Sequence, residues 1–154
     1  MTSRSVVFAE PARTAIGTFG GSLKDVPAPA LGATAIRAAV GRAGIRPDEV
    51  ETVVMGNVVQ AGTKTNSARQ AAVHAGLPVT TPALTVNRVC GSGAQAIVSA
   101  AQEIALGNID AAVAETGVTS LKQMGVVMKA AQAKLSGKTV DGKALSEKVR
   151  SRLQ

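Results

Sequence analysis

Tryptophan and tyrosine are missing from this 154-residue chain, and phenylalanine occurs only at Phe8 and Phe19. A core must then be assembled from Ala, Val, Leu and Ile, whose small side chains suit close packing of helices on a sheet. Cysteine occurs once, at Cys90. A single cysteine excludes an internal disulfide and does not suggest a metal site, so a reducing, cytoplasmic setting is expected. No run approaches the roughly 20 apolar residues of a membrane-spanning helix. The N-terminus, Met1-Thr2-Ser3-Arg4-Ser5, leads straight into a strand pattern without a signal-peptide core. Neither a membrane partner nor a bound metal is expected.

What is present is ordinary for a globular chain. Hydrophobic residues make up 45%, and the length suits one compact domain with a small appendage. The net charge of +7 is unevenly distributed. Residues 1–112 hold nine Lys and Arg against seven Asp and Glu, whereas residues 113–154 hold eight against three. A basic tail of this kind implies an anionic partner, nucleic acid first, against the alternative of a solvated helical surface.

Apolar periodicity and turn residues divide the chain. Ser5–Ala9 reads as a short buried strand, and Arg13–Asp25 as a loop with Gly17, Gly20 and Gly21. Pro29–Ala43 has helical spacing and ends before Gly44, and Pro47–Val50 forms a turn into a strand over Thr52–Gln60. After a loop at Ala61–Lys64, Asn66 is placed to cap a helix over Ser67–Ala75, closed by Gly76 and Pro78. Ala83–Val89 reads as a strand, Cys90–Leu106 as a helix stopped by Gly107, and Ile109–Ala114 as a last strand. The order βαβαβαβ, with strands apolar on both faces, predicts an α/β layered sheet covered by helices. The helix after Cys90 is apolar almost all round and is expected to be buried. Beyond Ala114 a Ser120–Gln123 capping box opens a helix carrying Met124 and Met128. Asp141 opens another carrying Leu145, Val149 and Leu153, so that 114–154 reads as a basic helical hairpin.

Cys90 is the residue on which chemistry can be based. It stands where a strand gives way to a helix, facing the unpaired N–H groups of the helix start, which favour a thiolate. A thiolate there is a nucleophile, its own N–H is placed to donate to an oxyanion, and Gly91 and Gly93 let substrate and backbone approach closely. The bland alternative is a buried core thiol. His74 lies 16 residues upstream at a helix exit and reads as a surface or satisfied histidine. Arg13 and Arg69 read as carboxylate partners before phosphate contacts. The Gly17, Gly20 and Gly21 loop lacks Walker or dinucleotide spacing. Met124 and Met128 read as hairpin core.

Residues 4 to about 113 closely resemble the N-terminal half of thiolases. The segments that carry the resemblance are Ala12-Arg13-Thr14-Ala15-Ile16-Gly17, Phe19-Gly20-Gly21-Ser22-Leu23, Val54-Met55-Gly56-Asn57-Val58, Ala68-Arg69-Gln70-Ala71 and Ala75-Gly76-Leu77-Pro78. Most specific is Val86-Asn87-Arg88-Val89-Cys90-Gly91-Ser92-Gly93. The resemblance implies that Cys90 accepts an acyl group as a thioester from acyl-CoA or 3-ketoacyl-CoA, coenzyme A entering as substrate and not as a bound cofactor. Departures from the family pattern are Ala15 where Pro is common, Ala94-Gln95 where Leu-Gln or Leu-Lys is frequent, and Val113-Ala114-Glu115-Thr116-Gly117 where Ala-Gly-Gly-Met-Glu is usual. Family members also carry a loop domain and a second half with a Gly-His-Pro histidine and a Cys-x-Gly-Gly-Gly cysteine. This sequence has one His and one Cys, so those groups are expected from outside it. Pairing with a second copy, or with a complementing thiolase half, is expected through Ala83–Val89. Residues 114–154 resemble the C-terminal tail of YqeY-like proteins and of the amidotransferase B subunit, through Met124-Gly125-Val126-Val127-Met128, Leu135-Ser136-Gly137-Lys138 and Asp141-Gly142-Lys143-Ala144. That resemblance implies a tRNA- or amidotransferase-associated binding module as the alternative function, and a boundary between domains 1–113 and 114–154.

Overall fold

The computed structural model describes residues 5–115. They belong to one unit, which runs over Met1–Val118. Helix α1 (Ala28–Ala43) is followed by a 3₁₀ turn at Pro47–Glu49 and strand β1 (Thr52–Gly56). Helix α2 (Ser67–Ala75), strand β2 (Ala83–Val86), helix α3 (Ser92–Leu106) and strand β3 (Ala112–Glu115) complete the order. The helical hairpin expected over 114–154 lies outside the described residues, except that Ala114 and Glu115 end β3.

The strands form one parallel sheet in the order β2-β1-β3. The chain steps from β1 to its neighbour β2, then returns past β1 to reach β3. Right-handed crossovers in opposite directions put the two connecting helices on opposite faces of a sheet. Side-chain alternation along β1 agrees. Val53 and Met55 pack with Ile36 and Val40 of α1 and with Ala68, Ala71 and Ala72 of α2. Val54 packs on the other face with Ala96 and Ala100 of α3. The product is a three-layer α/β/α arrangement with β1 buried at its centre.

Helix ends follow local chemistry. The Asn66 side chain accepts a hydrogen bond from the Arg69 N–H at 3.0 Å, capping α2 where the sequence places the cap. The same Asn66 donates to the Ala83 carbonyl (2.9 Å) and accepts from the Thr85 hydroxyl (2.9 Å), which itself accepts the Ala68 N–H. The start of α2 is thereby tied to β2. Among the described residues, helices α1, α2 and α3 each end at a left-handed glycine, Gly44, Gly76 and Gly107.

Two sequence expectations are corrected. Ser5–Ala9 forms no strand; Val7 and Phe8 are 82% and 75% exposed. Apolar side chains do not make a strand without a neighbour to take their backbone groups, and this segment joins neither edge of the sheet. Helix α3 is buried along one face only, at Ser92, Gly93, Ala96 and Ala100, while Val98 and Leu106 are exposed. Three strands cover one side of a helix, and no further layer reaches its outer side among the described residues. Strand and helix ends also shorten: β1 stops at Gly56, β2 stops at Val86, and β3 starts at Ala112.

One contact sets how close α3 comes to the sheet. A Cβ on Gly56 would lie 2.5 Å from the Ser92 carbonyl carbon and 2.6 Å from the Gly93 nitrogen. Both are backbone atoms, which cannot rotate aside. Gly56→Ala is expected to destabilise the fold by about 1–3 kcal/mol. Gly41, inside α1 with nothing within 4 Å of its virtual Cβ, gives the contrast: Gly41→Ala is expected to stabilise by about 0.5–1 kcal/mol. Denaturant melts of the two variants check the pair, and equal signs would refute this packing argument.

Candidate active site

The connections after β1 and β2 leave for α2 and α3 on opposite faces of the sheet, at the carboxyl ends of the strands, the end at which open α/β sheets bind ligands. Two loops border it: residues 57–66 after β1 and residues 87–91 after β2. Cys90 lies in the second loop and is exposed. It precedes helix α3, which starts at Ser92 with Gly91 as its N-cap (φ −92°, ψ 2°). The helix therefore starts two residues later than the sequence pattern suggests.

The delay has a local cause. Val89 adopts φ +47°, a left-handed conformation that costs an L-residue roughly 1–2 kcal/mol and is least suited to a β-branched one. Side chains hold the turn. Asn87 Oδ1 accepts the Val89 N–H at 3.0 Å, and the Ser92 hydroxyl donates to the Val89 carbonyl at 2.7 Å. The same hydroxyl accepts the Arg88 N–H at 2.9 Å. The Gly91 N–H bonds the Arg88 carbonyl, and the Ser92 N–H bonds the Val89 carbonyl. The Arg88 guanidinium reaches Gln95 Oε1 at 2.8 Å, fastening the turn to the second turn of α3. The result is a tight reversal that leads out of β2, past an exposed thiol, into a helix.

The neighbouring loop is equally fixed. Asn87 Nδ2 donates to the Val58 carbonyl at 2.9 Å, joining the two loops. Asn57 donates to the Ser67 hydroxyl (2.7 Å), and Gln70 donates to the carbonyls of Thr63 and Thr65. This end of the sheet is thus framed by hydrogen bonds anchored on α2.

Other residues singled out in the sequence lie elsewhere or are engaged. His74 is exposed in the last turn of α2, which runs back toward the amino ends of the strands. It therefore sits at the opposite end of the sheet from Cys90, and its carbonyl accepts from Arg37. Arg69 donates to the carbonyls of Val79 and Thr81, so it staples the turn before β2 instead of pairing with a carboxylate. Arg13 donates to the Thr14 carbonyl. In the Gly17–Gly21 loop the Gly21 N–H is taken by the Thr18 carbonyl, and a Gly21 carbonyl bond to Lys24 continues the turn. Met124 and Met128 lie outside the described residues. A hollow of about 220 Å³ opens between α3 and β2, lined by Thr52, Pro82, Leu84, Ser99, Glu103 and Ile109 among others. It too is at the amino ends of the strands, away from Cys90. No cluster of three or more His, Cys, Asp or Glu that could hold a metal ion occurs among the described residues. No helix there is long and apolar enough to cross a membrane.

The sequence pattern singles out Cys90 but not the parts that shape its surroundings. The left-handed Val89 and the double role of Ser92 leave no propensity signal. The Asn87-x-Val89 spacing, which allows an asparagine to bond the N–H two residues on, is the one cue that was available.

Comparison with known proteins agrees with this architecture. The family description "Thiolase, N-terminal domain" matches residues 6–150. The chain is 53% identical over 109 residues to an acetyl-CoA acetyltransferase of Cupriavidus necator, covering 71% of this chain and 28% of the relative. It is 52% identical over 107 residues to a mitochondrial acetyl-CoA acetyltransferase of Xenopus tropicalis, covering 70% and 26%. The crystal structure of the Bacillus anthracis acetyl-CoA acetyltransferase superposes with a TM-score of 0.67 at 43% identity, over 70% of this chain and 27% of that one. The chain thus spans between a quarter and a third of the length of these relatives. The family match over residues 6–150, with these identities to its members, makes this chain a member of the thiolase family.

Proposed function

We propose that this chain carries the acyl-accepting step of thiolase-type acyl transfer, with Cys90 as the nucleophile and an acyl-CoA or 3-ketoacyl-CoA as the donor. The observation that carries the reading is an exposed thiol, the sequence's single cysteine, on a hydrogen-bonded turn at the carboxyl end of β2. The Cys90 thiolate attacks the thioester carbonyl. The tetrahedral adduct collapses, the carbon–sulfur bond to coenzyme A breaks, and the coenzyme leaves as its thiolate, leaving an acyl-cysteine. With a 3-ketoacyl donor the thiolate attacks the 3-keto carbonyl instead, the bond between C2 and C3 breaks, and the acetyl-CoA enolate takes up a proton as it leaves. Donors aimed at the developing oxyanion supply much of such a rate, and the Cys90 N–H is our candidate for one of them. The relatives named above act on acetyl-CoA by their names, which supports a short acyl-CoA as substrate.

Later proton transfers in this chemistry call for a histidine and a second thiol. With one His and one Cys in the sequence, we assign them to a complementing half or a second copy. Strand β2 is an edge of the described sheet, and Leu84 on it is 51% exposed, which supports docking through Ala83–Val89. A free thiol as nucleophile suits a reducing compartment such as the cytoplasm. Incubation with acetyl-CoA followed by intact-mass spectrometry is expected to add one acetyl group, labile to hydroxylamine and absent from Cys90→Ala. A folded chain that stays unmodified contradicts the reading.

A second reading rests on charge alone. Residues 113–154 carry eight Lys and Arg against three Asp and Glu, and a YqeY-like tail would bring that charge to tRNA. The expected result is a tRNA gel shift that weakens steeply as salt rises and disappears when residues 119–154 are deleted, which leaves β3 whole. No shift at low salt refutes it.

A further inference from the structure

The left-handed turn at Val89 is maintained by polar groups and not by packing. The Val89 side chain is 65% exposed, so no buried surface compensates for a conformation that β-branched residues avoid. Both polar groups of its backbone are instead held by side chains from either side of the turn. Asn87 Oδ1 accepts its N–H at 3.0 Å, and the Ser92 hydroxyl donates to its carbonyl at 2.7 Å. Ser92 is only 3% exposed and is braced by the Arg88 N–H and by the close backbone of Gly56. Asn87 is anchored through its other amide atom to the Val58 carbonyl. Each holder is itself held, on different elements, which is how a strained residue persists.

We infer that Asn87 and Ser92 are positioning residues for Cys90: they keep Val89 left-handed, and this reversal turns the thiol outward at the mouth of α3. The consequence for acyl transfer rests on the reading given above, but the conformational claim does not need it. Without the clamp, Val89 relaxes toward ordinary backbone, and the population of chains that present the thiol falls.

Because Cys90 is the only cysteine, its alkylation by iodoacetamide in the folded chain reports on this population directly. Ser92→Ala removes two part-buried hydrogen bonds, to the Val89 carbonyl and from the Arg88 N–H, and is expected to slow alkylation by about tenfold. Asn tolerates the left-handed region far better than Val. Adding Val89→Asn to Ser92→Ala is therefore expected to restore the rate to within about twofold of the unsubstituted chain. Asn87→Ala tests the other arm, with a slower rate rescued in the same way. Thr81→Val removes a similarly buried hydroxyl, bonded to the Val50 carbonyl before the amino end of β2, and is expected to leave the rate unchanged. A purely structural role for Ser92 predicts no rescue from position 89. An unchanged rate in Ser92→Ala, or a slow rate that Val89→Asn does not restore, overturns the inference. If Ser92→Ala does not fold, Asn87→Ala with and without Val89→Asn decides it by the same criteria. The expected alkylation pattern in a chain that acetyl-CoA fails to acetylate would remove the proposed function and leave this inference standing.

Discussion

At the end of β1 the backbone of Gly56 rests against the backbone of Ser92 and Gly93, with no side chain between them. That contact lets the first turn of α3 sit on the sheet instead of being held off by a Cβ. It also carries Ser92 down to where its hydroxyl can reach both Arg88 and Val89. The turn after β2 then closes tightly, Val89 is driven left-handed, and Cys90 emerges before the helix begins. Remove the close approach and the hydroxyl, the turn and the thiol all lose their reference point.

The rest of the described structure serves as a mount for this turn. The layer of α1 and α2 supports one face of β1 through Ile36, Val40, Ala68 and Ala71, and α3 covers the other through Ala96 and Ala100. The loops at the carboxyl ends of β1 and β2 are joined through Asn87 and Val58 and fixed to α2 through Asn57, Ser67 and Gln70. Rigid elements holding short polar loops are the usual way for a sheet to present a reactive group. The outer side of α3 and the strand face beneath it are different in character. Leu84, Val98 and Leu106 stay open to solvent there.

How much of this could be read in the sequence depended on how local the physics was. The cap at Asn66, the glycine stops at Gly44, Gly76 and Gly107, and the apolar core of β1 were legible because each is set within a few residues. The position of Cys90 between β2 and α3 was legible from the change in period and from the family pattern around it. Ser5–Ala9 misled because apolar character marks a strand only when a neighbour is present to pair with it. The one-sided burial of α3 was hidden because burial depends on what stacks against a helix, not on the helix. The turn itself was illegible: valine is among the last residues expected at positive φ. Only the three-dimensional meeting of Asn87, Ser92 and Gly56 explains it there.

The most direct test of this account is the backbone conformation of Val89 in solution. In a labelled sample of the folded chain, its intraresidue HN–Hα nuclear Overhauser effect should be strong, the sign of a positive φ, and should stand out from those of the flanking Arg88 and Cys90. A weak effect at Val89, matching extended or right-handed backbone, would contradict the account.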